Sequence, residues 1–126
     1  MRLNQVTVTL PDLDAGWRFY CGLGLIPIVD ARPGYARFQC PDGDSTFSLH
    51  QGQGGGAGTR VYFECDDLDE RVSALKGAGF VFAEDPRDKR WLWREAELID
   101  PGGNRVVLYR AGEMRLNPPW RLEPKT

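Results

Sequence analysis

Histidine is nearly absent from this chain, and so is any thiolate cluster of the kind that holds a metal. His50 is the only histidine in 126 residues, and Cys21, Cys40 and Cys65 stand far apart with no CxxC or CxH spacing. An odd number of scattered cysteines excludes a disulfide scaffold and points to thiols in a reducing compartment, hence the cytoplasm. Long apolar runs are missing too: none nears the ~18 residues of a membrane span, and Met1-Arg2-Leu3-Asn4-Gln5 lacks a signal-peptide core. Neither sign of charge is in excess. With 16 Lys and Arg against 18 Asp and Glu, the net charge of −2 argues against nucleic acid or an anionic membrane as the main partner. No Gly-x-Ser-x-Gly elbow, phosphate loop or cysteine within a His/Asn arrangement is present, so no nucleophile is announced.

What is present is a repeat. Asp12-Leu13-Asp14 returns 55 positions later as Asp67-Leu68-Asp69, Gly24 returns as Gly79, and Val6 and Val8 return as Val61 and Phe63. Val6, Val8 and Leu10 alternate with Gln5, Thr7 and Thr9, the pattern of a half-buried strand. Asp12 then caps a helix with the stripe Leu13, Trp17, Tyr20 and Leu23, and Gly24 ends it. In the second copy Asp67 caps, Leu68, Val72, Leu75 and Ala78 form the stripe, and Gly79 stops the helix. Short strands follow each helix: 26–31, 35–40 and 46–51 in the first unit, and 80–83, 91–99 and 105–109 in the second. Residues 84–90 read as a charged loop.

Each unit is thus β-α-β-β-β, an α+β arrangement with module one at 1–52 and module two at 59–111. One domain spanning 1–126 is expected, with a core shared by both modules. Residues 52–58 are rich in glycine, either a plain flexible linker or a mobile rim over a pocket. The arm at 112–126 carries Asn117-Pro118-Pro119-Trp120, an extended segment for packing on its own domain, on a dimer partner or over a pocket.

The ordered set Val6-Thr7-Val8, Asp12-Leu13-Asp14, Phe19-Tyr20, Leu23-Gly24-Leu25, Val61–Phe63, Asp66-Asp67-Leu68-Asp69 and Asp100-Pro101-Gly102-Gly103-Asn104 resembles the vicinal oxygen chelate superfamily. That superfamily includes glyoxalase, extradiol dioxygenases, fosfomycin-resistance enzymes and bleomycin-resistance proteins. The resemblance implies two tandem βαβββ modules forming an eight-stranded, incompletely closed barrel with a site in its cup, and a homodimer. It also implies four metal-ligand positions, which fall on Gln5, Ser48, Arg60 and Val107 in this sequence. Only Gln5 of these is a plausible ligand. A permanent cation such as Arg60 costs several kcal/mol beside a divalent ion, even at an effective dielectric near 20. No metal and no cofactor are therefore expected. His50 remains open between a structural or rim residue, a polar ligand contact and a metal ligand.

Strand alternation, with the side fixed by the resemblance, places Gln5, Thr7, Ser48, His50, Arg60, Tyr62, Val107 and Tyr109 in the cup. Trp91-Leu92-Trp93-Arg94-Glu95 is similar to a stretch of the bleomycin-resistance branch, whose members bind flat or cationic drugs without metal catalysis. Trp91 and Trp93 either sandwich a planar ligand or pack a dimer interface or the core. Glu95 and Glu97 either attract a cationic ligand or form a solvated or paired edge, and Glu64 is a candidate general base. The expected function is binding or sequestration of a small organic or drug-like molecule. The alternatives are a lyase, isomerase or dioxygenase with an atypical metal site, and an interaction subunit with a vestigial site.

Overall fold

The computed structural model describes residues 1–55 and 58–122; Gly56 and Ala57 of the glycine-rich segment and the last four residues of the arm lie outside the described residues. Strand β1 (Gln5–Leu10) leads into helix α1 (Leu13–Leu23), followed by β2 (Ile26–Ala31), β3 (Tyr35–Gln39) and β4 (Thr46–Gln51). The second half repeats the order with β5 (Arg60–Glu64), α2 (Leu68–Gly77), β6 (Glu84–Asp88), β7 (Arg94–Ile99) and β8 (Arg105–Arg110), then a short 3₁₀ turn at Gly112–Arg115. Two four-stranded sheets result, ordered β1-β4-β3-β2 and β5-β8-β7-β6. β1 pairs with β4 in parallel, across the helix, whereas β4–β3 and β3–β2 are antiparallel. The α+β class and the doubled βαβββ module are as the sequence predicts. By internal contacts the chain divides into two compact units, Met1–Val61 with Ile99–Arg105, and residues 62–98 with the chain from Val106 onward.

Both helices end in the same way. Gly24 sits at φ 107°, and Leu25 N–H reaches back to the Tyr20 carbonyl at 3.1 Å. Gly79 sits at φ 101°, and Phe80 N–H reaches the Leu75 carbonyl at 3.0 Å. This left-handed closure needs a residue without Cβ strain, which is why glycine recurs there. The starts differ. Asp12 accepts from the Asp14 and Ala15 amides at 3.0 and 3.1 Å, a cap worth about 1 kcal/mol. The Asp67 side chain makes no cap bond and instead faces Arg71 at 3.4 Å.

In the first unit, Leu13, Tyr20 and Leu23 of α1 are buried with Val8, Leu10, Phe38, Phe47 and Leu49 of the sheet. Trp17 is only half-buried: it meets Phe38 on one side, and the Arg32 guanidinium covers its ring at 4.1 Å. The buried slot on that helix face belongs to Gly16, where an added Cβ would fall 2.6 Å from Leu10 Cδ1. In the second unit Leu68, Val72 and Leu75 of α2 are buried along with Ala96, Leu98, Val106 and Leu108, whereas Ala78 at the helix end is exposed.

Arg32 also donates to Asp30 through Nε at 2.9 Å and Nη2 at 2.8 Å, and to Asp14 at 3.1 Å. Those Arg32 hydrogen bonds, side-chain first, hold the Asp30 carboxyl down at about 2. A depressed acid stabilises the fold above its ordinary value near 3.9, and that contribution fades as pH falls from there through about 2. The carboxyl carbon of Asp30 is expected to titrate near the lower value in the wild-type protein and to move up in Arg32→Met. An unchanged NMR midpoint in the variant would refute the pairing.

Two elements depart from the sequence-based expectation. Residues 80–83 form no strand; the strand is Glu84–Asp88, within the stretch read as a charged loop. The expected strand at 91–99 begins only at Arg94. Before it, Lys89 N–H bonds the Trp93 carbonyl at 2.7 Å, Leu92 N–H bonds the Lys89 carbonyl at 3.0 Å, and Leu92 adopts φ 70°. Residues 89–93 are therefore the tight turn of the β6–β7 hairpin.

Candidate functional site

Register sets which polar groups share a face of the first sheet. Gln5 lies beside Thr46, Thr7 beside Ser48, and Thr9 beside His50. Across β4, Gln39 pairs with Thr46, Arg37 with Ser48, and Tyr35 with His50. Neighbouring rows of a sheet point the same way, so these side chains form one polar grid on the face away from α1. Thr46 Oγ1 donates to Gln5 Oε1 at 2.8 Å. Ser48 is fully buried and its Oγ lies 2.8 Å from the Tyr35 hydroxyl. His50 is exposed, its Nδ1 3.3 Å from the Gln51 carbonyl, and Arg60 is exposed on β5. The sequence pointed to Ser48 and His50 but not to Tyr35 and Arg37, although the alternation of Tyr35, Arg37 and Gln39 with buried Ala36 and Phe38 carried that signal.

The second unit gathers aromatics. Trp93 stacks on Tyr109 with ring centroids 4.8 Å apart and planes 23° apart, and Tyr62 stands edge-on to both at 6.0 and 5.6 Å. Burial, then the charge of Glu64, pushes the Tyr109 phenol up. Val107 is buried two residues before Tyr109 on β8. Trp91 lies in the hairpin turn instead of on a strand, and its Nε1 donates to Glu95 at 2.6 Å. The Trp93 Nε1 points to the Met114 carbonyl at 3.4 Å. Beside Trp93 opens a cleft of about 500 Å³ lined by Lys89, Leu92, Arg94 and Arg110 among others. Arg94 is spoken for, bonding Asp69 at 2.9 and 3.2 Å and Asp88 at 3.0 Å. Glu64 Oε2 accepts from the Ala111 and Gly112 amides at 2.8 and 2.9 Å, fastening the start of the 3₁₀ turn.

The chain's sequence matches the profile of the Glyoxalase/Bleomycin resistance protein/Dioxygenase superfamily over residues 2–108. The chain belongs to that superfamily. Among solved structures it is similar to a glyoxalase/bleomycin resistance protein/dioxygenase from Nocardioides (TM-score 0.78, 20% identity, covering 98% of this chain and 90% of that one). It is also similar to lactoylglutathione lyase from Agrobacterium tumefaciens (TM-score 0.73, 19% identity, 86% and 92% covered). A bleomycin-binding protein complexed with bleomycin is a further match (TM-score 0.69, 19% identity, 87% and 98% covered). At these identities the likeness is one of fold. No curated protein matches the chain.

The four positions expected from the resemblance as metal ligands can be weighed by their side-chain chemistry. Gln5 offers one amide oxygen, already accepting from Thr46, and Ser48 offers a hydroxyl engaged by Tyr35. Arg60 is a cation and Val107 an aliphatic group, so neither side chain is a donor for a divalent ion. Among the described residues no three His, Cys, Asp or Glu side chains group together as a metal site would require.

Proposed function

We propose that this superfamily member binds a small, flat organic molecule without a resident metal, using the aromatic face of Tyr62 and Trp93, against which buried Tyr109 packs. The observation that carries the reading is the stacked Trp93–Tyr109 pair with Tyr62, 42% exposed, standing at its edge. Such a face offers a planar ligand apolar area and stacking worth ~0.5–1.5 kcal/mol per ring pair beyond area burial. The adjoining cleft has a volume typical of sites for drug-sized molecules. That a structural neighbour is a bleomycin-binding protein is in keeping with a binding role. Free thiols at Cys21 and Cys40 fit a reducing compartment such as the cytoplasm, and we read the protein as a homodimer, which solution mass would check.

Trp93→Ala is expected to weaken binding of a small planar aromatic probe by roughly tenfold, measured by fluorescence quenching or calorimetry. Trp91→Ala, whose indole is tied to Glu95, is expected to cost less. Equal affinity in wild type and Trp93→Ala across an aromatic panel would defeat the reading. So would stoichiometric transition metal in protein purified without added metal, paired with turnover that chelation abolishes.

A further inference from the structure

The polar grid of the first sheet contains an arrangement that simple solvation of a strand does not require. The Arg37 Nε–H donates to the Tyr35 hydroxyl oxygen at 2.8 Å, and buried Ser48 Oγ sits 2.8 Å from the same atom. Tyr35 is the only side-chain partner of Ser48 among the described residues. A buried serine proton must be accepted somewhere, so Ser48 donates to the phenolic oxygen as Arg37 does. Two donors occupy that oxygen and turn the phenol's own proton outward. Arg37, half-buried, keeps Nη1 and Nη2 without a partner among the described residues. With Nε committed to Tyr35, the guanidinium can offer only its end-on pair of parallel N–H groups.

We infer that Tyr35, Arg37 and Ser48 form a binding site for a small carboxylate. The two Arg37 Nη groups clamp its two oxygens in the planar, bidentate fashion that suits a carboxylate better than a tetrahedral phosphate. Tyr35 donates its outward proton to one of those oxygens, while Ser48 and Arg37 Nε fix the phenol's position. Burial alone would push the Tyr35 phenol up; the Ser48 and Arg37 hydrogen bonds and the Arg37 charge outweigh it and hold the phenol below its ordinary value. The titratable or charged groups facing Tyr35 are Arg37 on its own strand and His50 across on β4, its ring centroid 6.3 Å away; from β2 the partner at this level is Ala31.

The test is a titration of the full chain with benzoate, its neutral counterpart benzamide and inorganic phosphate, followed by NMR at Tyr35 Cζ and Arg37 Nε. Benzoate is expected to saturate with Kd on the order of 1–10 mM, with benzamide and phosphate at least ~10-fold weaker. A bound anion beside the phenol should raise the Tyr35 midpoint, and benzoate affinity should fall as Tyr35 ionises. Arg37→Lys keeps the charge but loses the fork, and a ~10-fold weakening is expected. Tyr35→Phe should weaken binding by roughly 3-fold and remove its alkaline decline. Wild-type affinity in Arg37→Lys, equal binding of benzamide or phosphate, or shifts that never saturate would overturn the site. Benzoate signals confined to the Trp93 indole would also overturn it while leaving the aromatic face intact.

Discussion

Asp100→Ala is expected to lower the unfolding free energy by about 3–5 kcal/mol. Asp100 is buried, and Oδ1 accepts from the Gly102 and Asn104 amides, each at 2.8 Å. Its Oδ2 accepts from Asn104 Nδ2 at 2.9 Å and from the Tyr20 hydroxyl at 2.6 Å. Truncation removes four bonds at once and strands the Tyr20 hydroxyl inside the first unit's core. Denaturant unfolding checks this directly, and a loss below about 1 kcal/mol would show that water or rearrangement replaces the network. The same pair predicts weakness in alkali. Burial, then the Asp100 charge and the hydrogen bond to it, push the Tyr20 phenol far up. A raised group contributes stability fully below its ordinary value near 10 and loses it as pH climbs beyond.

The glycine-rich segment supplies the second large effect. Its first residues are fastened to the first unit: Gly52 N–H bonds the Leu10 carbonyl at 3.2 Å, Thr9 Oγ1 bonds the Gln53 carbonyl, and Gly55 N–H bonds Asn104 Oδ1 at 3.1 Å. A Cβ on Gly54 would fall 1.6 Å from the Gly102 carbonyl oxygen and 2.7 Å from its carbon. Both obstacles are backbone and cannot rotate aside. Gly54→Ala should therefore cost ~3 kcal/mol or more, whereas Gly58→Ala, with nothing within 4 Å of its Cβ, should stay within about 0.5 kcal/mol. Comparable melting temperatures for the two variants would refute the close approach at Gly54.

How legible the protein was varies by element. Caps, stripes and glycine stops are local, and α1 and α2 followed from them almost to the residue. β6 was hidden because Glu84-Asp85-Pro86-Arg87-Asp88 has the composition of a loop. It is the last strand of its sheet, where a proline need not complete a ladder and charges discourage further pairing. Trp91-Leu92-Trp93 deceived in the opposite direction. Its aromatic, apolar residues favour strands, yet Leu92 occupies a left-handed turn position that glycine would have advertised. At the candidate site, Ser48 was visible through the family likeness. Its link to Tyr35 and Arg37 was not, since a diagonal reach across strands depends on register rather than on spacing.

The sequence by itself determined the doubled strand–helix unit and its order, because capping and periodicity act over a few neighbouring residues. Only the tertiary structure decided which polar atoms meet. Tyr20 and Asp100 stand 80 positions apart, Thr9 and Asn104 stand 95 apart, and no local rule pairs them. Their meeting follows from burial: once packing excludes water, each donor must find an acceptor, and the fold supplies the few within reach.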